Sequence, residues 1–284
     1  MTSIRRGQLI TTYGIGSMIT NKDNETFMVL APDTWVYKNR PKYLVHEPNL
    51  LRYLGVSELI RPPEPTENGK TKQVEEFTTT IRFPSWHFCR RCKTLQRTRF
   101  EERLGRCQKA DCKGWWTDLI PTRFLSVCEE GHIEDFPFME WVHNGQCPHD
   151  HELEYQERAS LTGLGGIVIH CRTCGNKRSL QGALSPDSLR NIKGCSGHQP
   201  WLYNGGSRST LQPCDRSLLG VQKAASNVYF PVLRNSIFIP ERSDLPANIK
   251  AFLNNTHYVS TIKQVLHKED TCLMVLKSLG SFNE

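Results

Sequence analysis

The sequence predicts an α+β protein: a small mixed α/β N-terminal part, zinc-ribbon-like modules with short strands, and a helical C-terminal tail. Three observations predict this class. Strand-like and helix-like runs share residues 1–60, separated by proline- and glycine-rich turns. Cysteine and histidine then recur at metal-ligand spacings from Cys89 to Cys214. The last forty residues, from Leu245 to Gly280, carry apolar residues at helical spacing. The expected organisation is 1–80 mixed α/β, 81–125 basic zinc ribbon, 126–150 Cys/His zinc module, 151–240 second ribbon-like module with strands, and 241–284 helical tail.

In chain order, "YGIGS" (Tyr13–Ser17) is too short for a dinucleotide fingerprint and reads as a tight turn needing unusual backbone angles. "FMVLAPDTWV" reads as a strand running into a turn at Pro32, and "PNLLRYLGVSELI" as a short helix ended by Gly55. "RPPEPTENGKTK" reads as a loop. Its Gly69-Lys70-Thr71 ends like a phosphate-binding loop, but Glu64 stands where the first glycine belongs, so nucleotide binding by this chain is not expected. "FTTTIRF" has the β-branched and aromatic content of a strand. From Trp86 to Cys214 the apolar periodicity is short and broken, which predicts little core there and a stabilising role for metal. Within it, "LTGLGGIVIHC" is a glycine turn leading into a buried strand. "ASNVYFPVLRNSIFIP" reads as strand, turn, strand, and Ser260 as a cap within the tail.

The 284-residue chain has no run of about 18 apolar residues, so no spanning helix is expected. Its start lacks the apolar core and cleavage site of a signal peptide, which predicts a cytoplasmic protein. Thiols stay reduced there, and eleven cysteines, an odd number, fit a paired disulfide framework poorly. Metal is the leading explanation for their clustering.

Three zinc sites are expected. Cys89, Cys92, Cys107 and Cys112 follow the C-x2-C, fourteen residues, C-x4-C pattern of a structural ribbon. A thioredoxin-like pair would leave Cys107 and Cys112 unexplained. Cys128, His132, His143 and Cys147 form a near-symmetric C-x3-H and H-x3-C set, with His149 or His151 as substitutes for His143. Nearby Glu129, Glu130, Glu134 and Asp135 leave open a water-activating metal, although four good ligands argue for a closed one. Cys171 and Cys174 are expected to find Cys195 and Cys214, with His198 competing for the last position. Cys272, with no ligand near it in sequence, is expected in a core.

The formal charge of +7 would fall to about +3 with thiolate-rich zinc sites filled. Its distribution says more. Residues 82–123 hold eleven Lys and Arg against four Asp and Glu, around the first site. Arg90, Arg91, Lys93, Arg97, Arg99, Arg103 and Arg106 are therefore the candidate phosphate contacts, against the alternative of a solvated basic face. Trp86, Trp115, Trp116, Trp141 and Trp201 lie beside the sites. Each could stack on an unpaired base, but miniature core is the default for any one of them.

"RRGQLITTYGIGSMI", "SVCEEGHIEDFPFMEWVHNGQC", "GHQPWL" and "KAASNVYFP" together resemble the DrmB-type proteins of the DISARM antiphage defence system. The resemblance covers roughly residues 4–240, and Gly131-His132 with Asp135-Phe136-Pro137 is its most specific string. It implies a partner role. Proteins of the family associate with a helicase subunit and help it engage viral DNA, in a system that also holds a DNA methyltransferase. They are longer, with a C-terminal domain also found at the ends of certain helicases, so this chain is expected to be a fragment, a split-gene product or a truncated relative. The expectation is a non-enzymatic zinc-binding subunit that binds DNA and docks on a helicase. The alternatives are a zinc hydrolase or nuclease centred on His132, Asp135 and His143, and a pure protein-interaction scaffold.

Overall fold

Every strand pairing in the computed structural model is antiparallel among the described residues, which are 4–67, 74–99, 106–115, 118–144, 152–158, 161–203, 213–236 and 260. The elements are α1 (Arg6–Thr11), β1 (Met18–Thr20), β2 (Thr26–Val29), β3 (Leu44–Val45), α2 (Pro48–Leu54), β4 (Leu59–Ile60), β5 (Thr66–Glu67), β6 (Val74–Glu76) and β7 (Thr80–Arg82). There follow β8 (Trp86–Cys89), β9 (Thr94–Arg97), β10 (Leu119–Pro121), β11 (Phe124–Val127), β12 (Ile133–Asp135), α3 (Phe138–His143), β13 (Leu153–Glu157), β14 (Ile167–Cys171), β15 (Lys177–Ser179) and β16 (Leu219–Gln222). None of the helices among these residues is long and apolar enough to cross a membrane.

Local chemistry sets the N-terminal elements. The Glu47 carboxylate accepts from the Asn49 amide at 3.2 Å, Pro48 opens α2, and Gly55 closes it with φ of 66°. Gly16 takes φ of 83° in the Tyr-Gly-x-Gly turn, where the Ser17 amide donates to the Gly14 carbonyl at 3.0 Å. That turn has close neighbours. A Cβ at Gly14 would meet the Tyr229 hydroxyl at 2.5 Å, and one at Gly16 would touch the Trp201 ring at 3.6 Å. The Ala31 amide also donates to the Trp201 carbonyl at 2.9 Å. Three strings far apart in sequence thus meet at one place.

Three sheets carry the rest. β1-β2-β7 form one, β12-β11-β16 another, and β10-β8-β9-β13-β14-β15 a six-stranded third. The middle sheet, β12-β11-β16, is buried on both faces. Phe124 joins a cluster with Trp86, Phe136, Phe138, Trp141, Leu153, Ile169 and Leu189. Its neighbour Leu125 joins Ile133 and Val221 against Met28, Leu30, Ile81 and Phe83. Alternation along a strand sends adjacent residues to opposite faces, so β11 is apolar on both. α3 docks Phe138, Trp141 and Val142 into the first cluster and ends at Asn144 with φ of 54°.

Two expectations are corrected. The cysteine-rich stretch does have a core, and it is the larger of the two main clusters. Strands of three to five residues spread its side chains too thinly for periodicity to register, and sheet register then collects them. The thiol and imidazole groups that could hold metal therefore lie at the rim of an apolar interior and do not replace one. The segment expected as strand, turn, strand has no strand over its described residues, 225–236; the strand, β16, comes just before it. Consecutive turn bonds from Ala225 N to Gln222 O and from Val228 N to Ala225 O divert the backbone, and Pro231 lacks a donor for any ladder.

Residues Met1–Asn235 cluster as one unit and Ser236–Glu284 as a second. The expected tail helix, Cys272 and the Gly69-Lys70-Thr71 string lie outside the described residues. Ser260, which is described, is helical.

Candidate metal centres

Nine cysteines are described, all of them as thiols. All nine fall with two histidines into three groups, the ligand atoms of each lying within 4.8 Å of one another.

The first group is Cys89, Cys92, Cys107 and Cys112. β8 delivers the buried Cys89 at its end, and a turn closed by the Lys93 amide on the Cys89 carbonyl at 2.8 Å presents Cys92. Lys93 has φ of 62°, the left-handed value such a knuckle needs. The second knuckle is held by Cys107 N on Gly114 O and Cys112 N on Lys109 O, each at 3.0 Å. Gln96 of β9 fastens it by accepting from the Gln108 amide at 2.9 Å. The Cys89–Cys112 and Cys92–Cys107 sulfurs are 3.8 and 3.5 Å apart. A tetrahedral ion with metal–sulfur bonds of about 2.3 Å separates its sulfurs by about 3.8 Å, so the group fits such an ion. Gly114 completes the cradle, since a Cβ there would lie 2.9 Å from Cys89 Sγ and 3.3 Å from Cys112 Sγ. Burial pushes the Cys89 and Cys107 thiols up. At Cys92 burial acts in the same direction, but hydrogen bonding from the Thr94 hydroxyl and amide outweighs it and brings the thiol to about 7.

The second group is Cys128, His132, Cys195 and Cys214. The β11–β12 hairpin supplies the first two through a turn at Gly131, which has φ of 82°. His132 Nδ1 lies 3.4 Å from Cys128 Sγ and 3.6 Å from Cys195 Sγ. A tetrahedral ion sharing one imidazole and one thiolate separates them by about 3.6 Å. Cys195 is brought in by backbone. Ile133 N donates to His198 O at 3.1 Å, Ser196 N to the Glu134 carboxylate at 2.6 Å, and Cys195 N to Arg216 O at 3.3 Å. Burial raises the Cys195 thiol.

The third group is His143, Cys171 and Cys174. His143 Nδ1 sits 2.7 Å from the Met139 carbonyl, an arrangement in which Nδ1 carries the proton and donates it. That leaves the Nε2 lone pair facing Cys174 Sγ, 3.3 Å away. Cys171, at the end of β14, is buried and Cys174 is exposed.

The first expected set is brought together as one group. The other two are re-partitioned. His143 stands with Cys171 and Cys174 and not with Cys128 and His132; Cys195 and Cys214 stand with Cys128 and His132 and not with Cys171 and Cys174. The reason is α3, which carries the chain from the β12 end to the β14 side before His143 is reached. His198 contributes its carbonyl to Ile133 and is in none of the groups. Cys147, His149 and His151 lie outside the described residues. Sequence spacing joins Cys89 with Cys92, Cys107 with Cys112, Cys128 with His132 and Cys171 with Cys174, but nothing in it says which pairs share a site.

The acidic residues near His132 have other work. Asp135 accepts from the Ser85 amide at 2.8 Å and from the Ser85 hydroxyl, and Arg97 lies 3.6 Å from it. Glu134 holds Ser196 and Lys193. Both carboxylates fasten loops, and neither joins a ligand group.

Among the candidate phosphate contacts, Arg91 pairs with Asp118 at 2.8 Å, Arg97 lies over the Trp86 ring, and Arg106 lies over the Trp115 ring at 4.3 Å from its centre. Arg90 and Arg99 are exposed, Lys93 is half-buried, and Arg103 lies outside the described residues. Trp86 and Trp141 are core and Trp201 packs on the second cluster, but Trp115 is exposed; Trp116 lies outside the described residues.

Fold and sites together define an antiparallel β protein carrying rim-mounted thiol and imidazole groups that could hold metal ions. The chain belongs to the family described as a domain of unknown function, DUF8724, whose model matches residues 5–230. It is 29% identical over 244 residues to the DISARM protein DrmB of Bacillus paralicheniformis, a match that covers 83% of this chain and 40% of that protein. The expected resemblance to DrmB-type proteins is thereby borne out.

The re-partition has a direct test. Cys128→Ser, Cys195→Ser and the double variant are each expected to lose the same single ion. Cys171→Ser with Cys195→Ser is expected to lose two. Native mass spectrometry counts the ions, and two lost in the Cys128/Cys195 double variant would restore the sequence-based pairing.

Proposed function

We propose that this chain is a non-enzymatic, zinc-clamped component of an antiphage defence assembly, cytoplasmic, which binds DNA through its basic first ribbon and associates with a helicase subunit. The observation that carries the DNA reading is the four-sulfur group inside the most basic stretch of the chain, with the spacing of a tetrahedral site and exposed Arg90, Arg91, Arg97, Arg99 and Arg106 around it. Zinc, when bound, would hold the two knuckles together and neutralise half of the thiolate charge. The defence role rests on the likeness to a protein named DISARM protein DrmB. The helicase role rests on the same resemblance. Because the chain spans 40% of that relative's length, its partners and activity are part of the proposal. A non-catalytic role is supported by the second group, whose four protein ligands leave a tetrahedral ion no open position, and by Glu134 and Asp135 being spent on loops.

Phosphate contacts set position and salt dependence but do not read sequence. Arg90→Glu with Arg99→Glu, exposed positions just beyond the ends of β8 and β9, is expected to weaken DNA binding. It should also lower the slope of log affinity against log salt by about 2. Titration at four salt concentrations measures this, and an unchanged slope would remove the basic arm from the interface. A scaffold that pairs this arm with acidic protein surfaces would show no DNA binding even at low salt.

A further inference from the structure

We infer that Trp115 is a stacking platform for an unpaired base, so that the strand taken by the first ribbon is single-stranded DNA. The inference rests on the DNA-binding reading above and narrows its ligand. Trp115 is 54% exposed, while Trp86 and Trp141 are 9% and 2% exposed. The ordinary fate of an indole beside a small metal module is its core, and this one is kept out of it by a built arrangement. Gly114, just before it, is pressed against the sulfurs of the first group. The Trp115 amide donates to Asp118 Oδ2 at 3.0 Å, and the Asp118 amide donates back to the Trp115 carbonyl at 2.9 Å. The same Oδ2 accepts from Arg91 Nε at 2.8 Å, and the Arg106 guanidinium lies over the indole at 4.3 Å.

The indole is therefore presented to solvent from a pinned backbone, with one arginine fixed beside its anchor and another on its face. A base needs an aromatic surface held ready, and its two flanking phosphates need cations nearby; this assembly has both. In a duplex the bases are already stacked and paired, so the ring cannot reach one without extruding it. Aromatic stacking thus favours a single strand, while the arginines alone would accept either form.

The experiment uses the full metal-loaded chain and fluorescence anisotropy with three labelled probes of about twelve nucleotides: oligodeoxythymidylate, oligouridylate and a mixed-sequence duplex. Trp115→Ala is expected to weaken oligodeoxythymidylate binding roughly tenfold and leave duplex binding unchanged, with Trp115→Phe recovering most of the loss. Equal losses on single strand and duplex, or no loss on the single strand, would overturn the platform while the DNA-binding reading stands. Tighter wild-type binding of oligouridylate than of its deoxy counterpart would overturn the assignment to DNA. Failure of the wild-type chain to bind any of the three would sink the DNA-binding reading itself. Unchanged metal content and melting temperature in the alanine variant separate lost stacking from a damaged ribbon.

Discussion

Gly220→Ala is expected to lower stability by about 3 kcal/mol, the upper end for overpacking a core. Gly220 lies in β16 opposite Ser126 of β11, in the sheet buried on both faces. A Cβ there would fall on the Ala183 carbonyl oxygen, 3.2 Å from its carbon and 3.3 Å from Phe136 Cε2. The obstacle is backbone of a fully buried residue, which cannot rotate aside as a side-chain tip could. Gly7→Ala is the control. Gly7 is exposed in α1, and nothing lies within 4 Å of the place its methyl group would take, so alanine there should be neutral or slightly stabilising. Urea unfolding at constant slope reads both variants, and equal midpoints would show that β16 and the Ala183 turn do not pack as described.

Cys195→Ser is expected to be the most damaging single ligand change, and Cys174→Ser among the mildest. The second group draws its ligands from the β11–β12 hairpin and from segments far along the chain at Cys195 and Cys214. Closing so long a loop removes much chain entropy, and the hairpin it fastens separates the two apolar clusters. Structural zinc contributes on the order of 10 kcal/mol in small modules, comparable with the whole stability of a domain. Cys174 is exposed in the turn between β14 and β15, and β14 is already secured on both sides by β13 and β15. Limited proteolysis with metal present is expected to degrade the Cys195 variant at a dose that leaves the Cys174 variant intact. The reverse order would mean that the second group is not the principal clamp.

Much of this protein is legible residue by residue. C-x2-C and C-x3-H mark knuckles because two ligands so close in sequence can face one point only through a tight turn, and Gly131 and Lys93 supply the left-handed residues those turns need. The strand after "LTGLGG" and the helix ended by Gly55 are equally local and are found where expected. The core of the cysteine-rich stretch is not legible, because each short strand offers it at most three side chains. Phe124, Phe136, Leu153 and Ile169 meet only after the strands have paired.

The sequence by itself determined which residues are metal-ligand candidates, where positive charge gathers and which glycines mark turns, since all three depend on composition or on contacts a few residues long. Tertiary structure alone decided that Cys195 and Cys214 stand with Cys128 and His132, that His143 stands with Cys171, and that Trp115 remains outside while Trp86 and Trp141 go in. Those choices depend on sheet register and on the path of α3, which bring together residues separated by dozens of positions, and no local spacing encodes them.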